Sequence, residues 1–352
     1  MPLILNFFWS PLFDLTLTYR RWCGIGASSC AAMLVLLSAV PIRASTINLV
    51  TLASFILMTG STLIAVPLSA FIVHAVPEQF KGKAAGGFQV GVTGGTAMGG
   101  GAGVWLVAHS SRPITAGLVL GLLSLACLCA VYLVPESSRL TSGSISRRIL
   151  GIVRELWDLV RHPRGALVVG LVITPIGVGA ATNLWSAVAE EWHASANTVA
   201  AVTGVAGACA AAAGCAIGGW WADRIDRRVV YLAGGAILAI VGTTLAITPR
   251  TPVLFTAGTL SYTMTVGICN ASFSALLFST IGRGAAASKC AIVAGLGNLP
   301  VSYMTAFDGW LHDRSGTAIM LISEAFICLA LIAVTAAILR SVPALGLKRV
   351  IR

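Results

Sequence analysis

Charge is scarce in this sequence. Only 10% of its 352 residues are Asp, Glu, Lys or Arg, against roughly 25% in an ordinary soluble domain. Acids number only 12. So few charges cannot cover a water-exposed surface, which excludes a cytosolic enzyme or a free nucleic-acid binder. Motifs that carry chemistry are missing too. There is no CxxC pair, no HExxH, no paired carboxylates within an apolar run and no Ser/His constellation, so no enzyme activity and no metal or cofactor site is expected. The glycine-rich run at 86–103 has no GK[ST] ending and no preceding strand, so it is not a phosphate loop. The nine cysteines lack ligand spacing and read as small apolar packing residues. His74, His109, His193 and His312 fall near the ends of apolar runs and read as interfacial, not as metal ligands. No cleavable signal peptide is evident.

Apolar residues fill the space that charge leaves, at 57%. A bilayer-spanning helix needs about 20 mainly apolar residues. Ten such runs stand at 25–41, 47–75, 84–108, 114–134, 166–188, 197–221, 229–248, 252–280, 285–308 and 317–339. An eleventh, Met1–Phe13, is apolar but short. The expected fold is an all-α polytopic membrane protein embedded in a lipid bilayer.

The 23 basic residues set an orientation. Nineteen lie in one alternating set of gaps, including Arg20, Arg21, Lys81, Lys83, Arg224, Arg227, Arg228, Arg283 and Lys289. Four lie in the other set: Arg43, Arg112, Arg250 and Arg314. Cytoplasmic loops carry the excess, so the first set and the C-terminus are expected inside, in a cell (inner) membrane. The net charge of +11 is thereby spent on topology and not on nucleic acid. The longest gap holds the amphipathic stretch 146–164, read as a cytoplasmic surface helix joining two halves, with a partner-binding or lipid-binding helix as the alternative.

Landmarks recur about 205 residues apart, the mark of an internal repeat. Asp14 with Arg20-Arg21 corresponds to Asp223 with Arg227-Arg228. Lys81-Gly82-Lys83 corresponds to Arg283-Gly284. Trp105-Leu106 corresponds to Trp310-Leu311. The halves are unequal: the second carries six runs, and the partner of its first would precede Met1. The repeat therefore predicts about 11 spans, with a first helix missing and about 40 residues lacking at the start. The expected organisation is an N-terminal transmembrane bundle over 1–134, a cytoplasmic central loop over 135–165, a six-helix C-terminal bundle over 166–340 and a cytoplasmic tail over 341–352. The alternative is a protein with a true odd number of spans.

GGWWADRIDRR (218–228) resembles the loop motif G-x-L-A-D-R-x-G-R-R of the major facilitator superfamily. Gly219, Ala222, Asp223, Arg224, Arg227 and Arg228 match it. Trp221 stands where leucine is usual, and Asp226 where the second glycine is. FFWSPLFDLTLTYRRW (7–22) resembles the first-half copy, with one extra residue between Asp14 and Arg20-Arg21. DGWLHDRSG (308–316) is similar to a segment after the eleventh helix, and PESSR (135–139) to a tag after the sixth helix of sugar porters. WSPLFD and NLPVSYMT (298–305) are most similar to the muropeptide-permease and peptide–acetyl-coenzyme A transporter branch. The resemblance implies two pseudo-symmetric bundles and a secondary active transporter of a small polar solute, working by alternating access. A non-transporting assembly factor or sensor of the same fold, or an inactive truncated product, is the alternative.

Physical roles follow for particular residues. An aspartate at a helix end can pair with arginines and cap the N-terminus of a neighbouring helix. Asp14 with Arg20 and Arg21, and Asp223 with Gly219, Arg224, Arg227 and Arg228, are thus expected as a gating latch; plain positive-inside charge is the alternative. Gly87, Gly91, Gly95, Gly99 and Gly103 recur every four residues, a stripe expected to admit close helix packing or sliding. Polar groups deep in spans are costly and mark sites. Gln89, Asn183, Asn270 and Asn298 are expected to line a substrate cavity, with helix–helix hydrogen bonding as the alternative. Glu324 is the carboxylate nearest a span centre. It suits a proton as coupling ion, although structural pairing fits its peripheral helix better. Asp308 reads as solvated near an outer face.

Overall fold

A bilayer leaves no water for backbone groups, so a chain this apolar must satisfy its amides and carbonyls within helices. The computed structural model describes residues 13, 16–41, 43–110, 112, 114–133, 151, 154, 157–158, 160–281 and 286–341. Among these, every regular element is helical. Asp14, Arg283, most of the amphipathic stretch and nearly all of the tail lie outside the described residues.

The helices are α1 (Tyr19–Ala39), α2 (Ile47–Ala75), α3 (Lys81–His109), α4 (Ile114–Ala126), α5 (Leu128–Leu133), α6 (Pro163–Ile173), α7 (Trp185–Val188), α8 (Ala196–Thr203), α9 (Val205–Ala222), α10 (Arg227–Ile247), α11 (Pro252–Thr280) and α12 (Ala286–Ser341). A short 3-10 turn, Glu78–Phe80, precedes α3. Seven of the described helical stretches are long and apolar enough to cross a membrane, α4 with α5 and α8 with α9 each counting as one. The expected count of about 11 is not reproduced as such. Runs 285–308 and 317–339 lie together on α12, interrupted at Gly316 (φ 81°). Run 84–108 lies on α3.

Run 166–188 is not one continuous helix. It stops at Thr174, whose neighbours Pro175, Gly177 (φ 68°) and Gly179 (φ 65°) cannot continue it, and resumes as short turns from Ala180 to Trp192. Pro67 and Pro300 lie inside α2 and α12. Local signals set the helix starts. Thr18 accepts from the Arg21 amide, Ser195 from Thr198, and Asp226 from Arg228. Pro163 opens α6, where its missing N–H costs nothing.

The chain divides into two compact units. The first comprises Met1–Val76, Gly99–Asp158 and Ile281–Gly295; the second comprises Pro77–Met98, Leu159–Thr280 and Leu296–Arg352. In the first unit α1 packs on α2 and α4 through small residues. A Cβ on Gly26 would lie 2.7 Å from the Gly60 carbonyl, and one on Gly121 3.3 Å from that of Ala31. Cys23 and Cys30 are buried in this seam, and none of the nine cysteines is in a disulfide. In the second unit α9 and α10 pack on α11, around a core that includes Trp185, Trp192, Phe255, Tyr262 and Met320. Leu52, Leu122, Ile240, Val253 and Phe326 stand on exposed faces, as residues that meet acyl chains do.

Candidate functional site

Two constructions in the second unit carry its polar chemistry. The first is at the N-terminus of α3. A helix start leaves orphan N–H groups and a partial positive charge. Asp223 stands at the C-cap of α9, where a negative charge is disfavoured by that helix's own dipole. Its carboxylate reaches α3 instead. Oδ1 accepts from the Gly82 amide at 2.6 Å and Oδ2 from the Lys83 amide at 2.8 Å.

Glycine makes this approach possible. A Cβ on Gly219 would lie 2.6 Å from the Gly82 carbonyl oxygen and 2.8 Å from Gly86 Cα. A Cβ on Gly86 would lie 2.8 Å from the Cys215 carbonyl oxygen. Backbone sits on backbone here, so no side chain can yield.

The surrounding charges complete the knot. The Arg227 guanidinium donates to the Glu78 carboxylate and, at 2.6 Å, to its carbonyl. Lys81 is buried. Its Nζ lies 3.0 Å from Glu78 Oε2 and donates to the Phe278 carbonyl at 2.8 Å, near the C-terminal end of α11. Partial burial pushes the Glu78 carboxyl up, but hydrogen bonds and charge from Arg227 and Lys81 outweigh it and hold it below its usual value.

The expected latch is thus corrected in its partners. Asp223 caps a neighbouring helix, as one half of the expectation had it. The arginines go elsewhere: Arg227 to Glu78, Arg228 to Asp226 (3.2 Å), and Arg224 onto the Trp220 ring at 3.7 Å. Asp226, in the place of the motif's second glycine, is what draws Arg228 away. In the first unit Arg20 donates to the Tyr132 carbonyl at 3.3 Å, and Arg21 is exposed.

The glycine stripe is also corrected as a packing surface. Among the described residues, a Cβ on Gly87, Gly91, Gly95 or Gly99 would meet nothing within 4 Å, and one on Gly103 would only touch Leu120 at 3.4 Å. The face turned to a neighbour is that of Gly82 and Gly86, where α9 supplies matching small residues.

The second construction is the break after α6. Stopping a helix frees carbonyls and amides that need partners. Tyr303 donates to the Ile173 carbonyl at 2.8 Å, and Tyr231 to that of Ile176 at 2.5 Å. On the amide side, Glu324 Oε1 accepts from Ala180 at 3.0 Å, with the Ala181 amide alongside. Tyr262 donates to the same oxygen at 2.7 Å. A small cavity against Tyr262 and Glu324, walled by Pro175, Leu238, Gly242 and Leu321, has room for about one water. Glu324 therefore takes the structural pairing that its position favoured.

Asp308 departs from its expectation of a solvated acid: it is fully buried. Sequence position placed it near a span end, but rotation about the helix axis turns it inward. Of the expected cavity residues, Gln89 donates to the Ser274 hydroxyl at 2.9 Å, and Asn183 to that of Thr305 at 2.9 Å. Asn270 is exposed. Asn298 is half-buried, and its carbonyl accepts from Ser302. The first two thus make the helix–helix bonds that were the alternative reading. His312 lies 3.3 Å from Glu191. No cluster of three or more His, Cys, Asp or Glu suited to a metal occurs among the described residues.

A family model described as Major Facilitator Superfamily matches residues 1–300. No curated protein sequence matches the chain. Solved structures do. A variant of the E. coli fucose:proton symporter superposes with a TM-score of 0.72 at 15% identity, over 96% of this chain and 90% of the other. The human organic anion transporter TETRAN gives 0.70 at 12%, over 95% and 82%. The proton:xylose symporter XylE, bound to 6-bromo-6-deoxy-D-glucose, gives 0.68 at 14%, over 97% and 83%. At these identities the likeness is one of fold.

Proposed function

The chain belongs to the Major Facilitator Superfamily, multi-pass membrane transporters and not enzymes, and we propose that it is a secondary active transporter of a small polar solute. It works by alternating access in a cell membrane, with its C-terminus cytoplasmic. The observation that carries this reading is the Asp223 cap on α3. A carboxylate that holds the first turn of another helix through two amides is a reversible fastening. It ties residue 82 to residue 223 across the internal repeat. Glu78, Arg227 and Lys81 add charge to the same fastening. The seam carries no bulky side chain, so the two helices can part without repacking a core.

In the cycle, the fastening is closed while the cytoplasmic side is shut. It opens when α3 and α9 separate, which exposes the Gly82 and Lys83 amides to water. The energy comes from a solute or ion gradient, because the sequence holds no nucleotide-binding loop. A proton suits the coupling role, as the symporters of similar fold are proton-coupled by name. The WSPLFD and NLPVSYMT resemblance makes muropeptides and acetyl-coenzyme A the first solutes to test.

The first arm of the test needs no solute. Phe80 and Ile225 are both exposed beside the fastening. Spin labels at these positions should report one short distance in the wild-type background. Asp223→Ala should add a longer population, and reconstituted vesicles should show altered uptake of the solutes named. Identical distance distributions with and without the carboxylate would remove the latch.

A further inference from the structure

Glu324 is accounted for by the break after α6, whose amides and Tyr262 satisfy it. Asp308 is not accounted for. It is 0% exposed, and neither carboxylate oxygen has a hydrogen-bond partner among the described residues. The buried donors without a hydrogen-bond partner among the described residues include the Trp185 indole N–H and the Thr259 hydroxyl. These orphan groups gather about one ring. Trp185 meets Tyr262 edge-on at 5.2 Å. Thr259 precedes Tyr262 by one helical turn on α11. Asp308 is close enough to act electrostatically on Tyr262, and Glu324 on Asp308.

Native interiors rarely leave buried polar groups unpaired, and such groups mark an unseen ligand, water or proton. A carboxylate without donors is stable in such surroundings only as the neutral acid. Glu324 has the opposite setting, with donors on its charged oxygen. The two acids therefore divide the roles: Glu324 is held in place by its donors, and Asp308 is the acid left without them.

We propose that Asp308 is a proton-binding site, occupied by a proton in this conformation. When water reaches the site, the acid transfers its proton to a water molecule, leaving carboxylate and hydronium. The Trp185 N–H and Thr259 hydroxyl, both beside Tyr262, are unpartnered donors of the same neighbourhood. Protonation by hydronium from the other side restores the acid and releases water. No further reactant is needed. The titratable groups facing the site are Tyr262 on α11 and Glu324 on α12, with Cys328 acting on Tyr262 and Glu324 acting on Cys328. On Asp308's own helix, His312 and Asp313 lie further along and pair with each other at 3.4 Å. The coupling role of this site rests on the transporter reading; the proton binding does not.

The test is infrared difference spectroscopy on the purified full chain in lipid nanodiscs, between neutral and alkaline buffer. It follows the carbonyl stretch of a neutral carboxylic acid. The wild type should show this band at neutral pH and lose it as pH rises. Asp308→Asn should lack it. Tyr262→Phe, which leaves both acids in place, should keep it. Asp308→Glu should shift the band and not abolish it, which covers the case of an Asn variant that does not fold. A band that persists unchanged in Asp308→Asn, or no band in the wild type at neutral pH, overturns the assignment. Once a solute is known, Asp308→Asn should retain solute exchange and lose accumulation driven by a pH gradient. Unchanged accumulation would sever the site from coupling and leave the spectral result standing.

Discussion

Helix α3 shows glycine in two settings a turn apart. At Gly82 and Gly86 an added Cβ would strike the backbone or carboxylate of the residues around Asp223. At Gly87, Gly91, Gly95 and Gly99 it would strike nothing. Composition and spacing do not distinguish the two faces. What differs is the partner: the packed face meets Cys215 and Gly219 on α9, and the open face meets no described atom. A glycine grants permission for close approach, and a second element must take it up. Helix α3 therefore divides by face, with a fastened side at its first turns and a run of glycines on the other side that meets no described atom.

The largest expected effect is at Gly219. Its Cβ position is already 2.6 Å from a carbonyl oxygen. Even Gly219→Ala should lower folded yield in detergent, and Gly219→Leu should abolish it. Overpacking of this kind costs about 1–3 kcal/mol and occasionally more. Normal yield for the Leu variant would mean that the seam opens freely, and the contrast between the two faces would collapse.

Next comes Asp223→Ala, which removes the cap on Gly82 and Lys83. Loss of a helix N-cap costs about 0.5–2 kcal/mol. A lower melting temperature in nanodiscs is expected, with Asp223→Asn intermediate because an amide oxygen still accepts. Equal melting for all three would show that the carboxylate is idle.

A smaller effect is expected from Glu78→Gln, and it should depend on pH. The Glu78 carboxyl is held below its ordinary value. Its contribution is therefore fully present above the ordinary carboxylate range and lost as pH falls through the lowered value. The melting difference between wild type and Glu78→Gln should be visible at neutral pH and vanish in acid. A difference that grows on acidification would reverse the sign and exclude the pairing with Arg227 and Lys81.

The smallest effect is expected at Gly95→Leu. The position borders open space, so folded yield should equal that of the wild type. If yield holds and uptake falls, the open face is one along which another helix slides during transport. If yield falls, the face is packed after all.

The spans were legible because the bilayer imposes one length on every crossing, and runs such as 47–75 and 252–280 coincide with helices α2 and α11. The break after α6 was written in Pro175, Gly177 and Gly179 but hidden by their apolar surroundings, since hydropathy does not register backbone direction. Asp223 was legible as a cap, because an acid at a helix end has few other uses. Its arginines were misassigned because Glu78 lies 149 residues from Arg227 and no spacing rule connects them. Asp308 was misplaced for a related reason. Position along a helix gives depth, while burial depends on rotation and on neighbours such as Tyr262.

The Glu324 carboxylate also sets an order in time. It serves the Ala180 amide across 144 residues of chain. At about 5–20 residues per second of synthesis, that separation is roughly 7–30 seconds. Throughout that interval the segment after Thr174 has left the ribosome with amides that no side chain can yet satisfy. The segment after Thr174 therefore gains this bond only once the last long helix, α12, has been made, so a segment that enters the chain early is among the last to be seated.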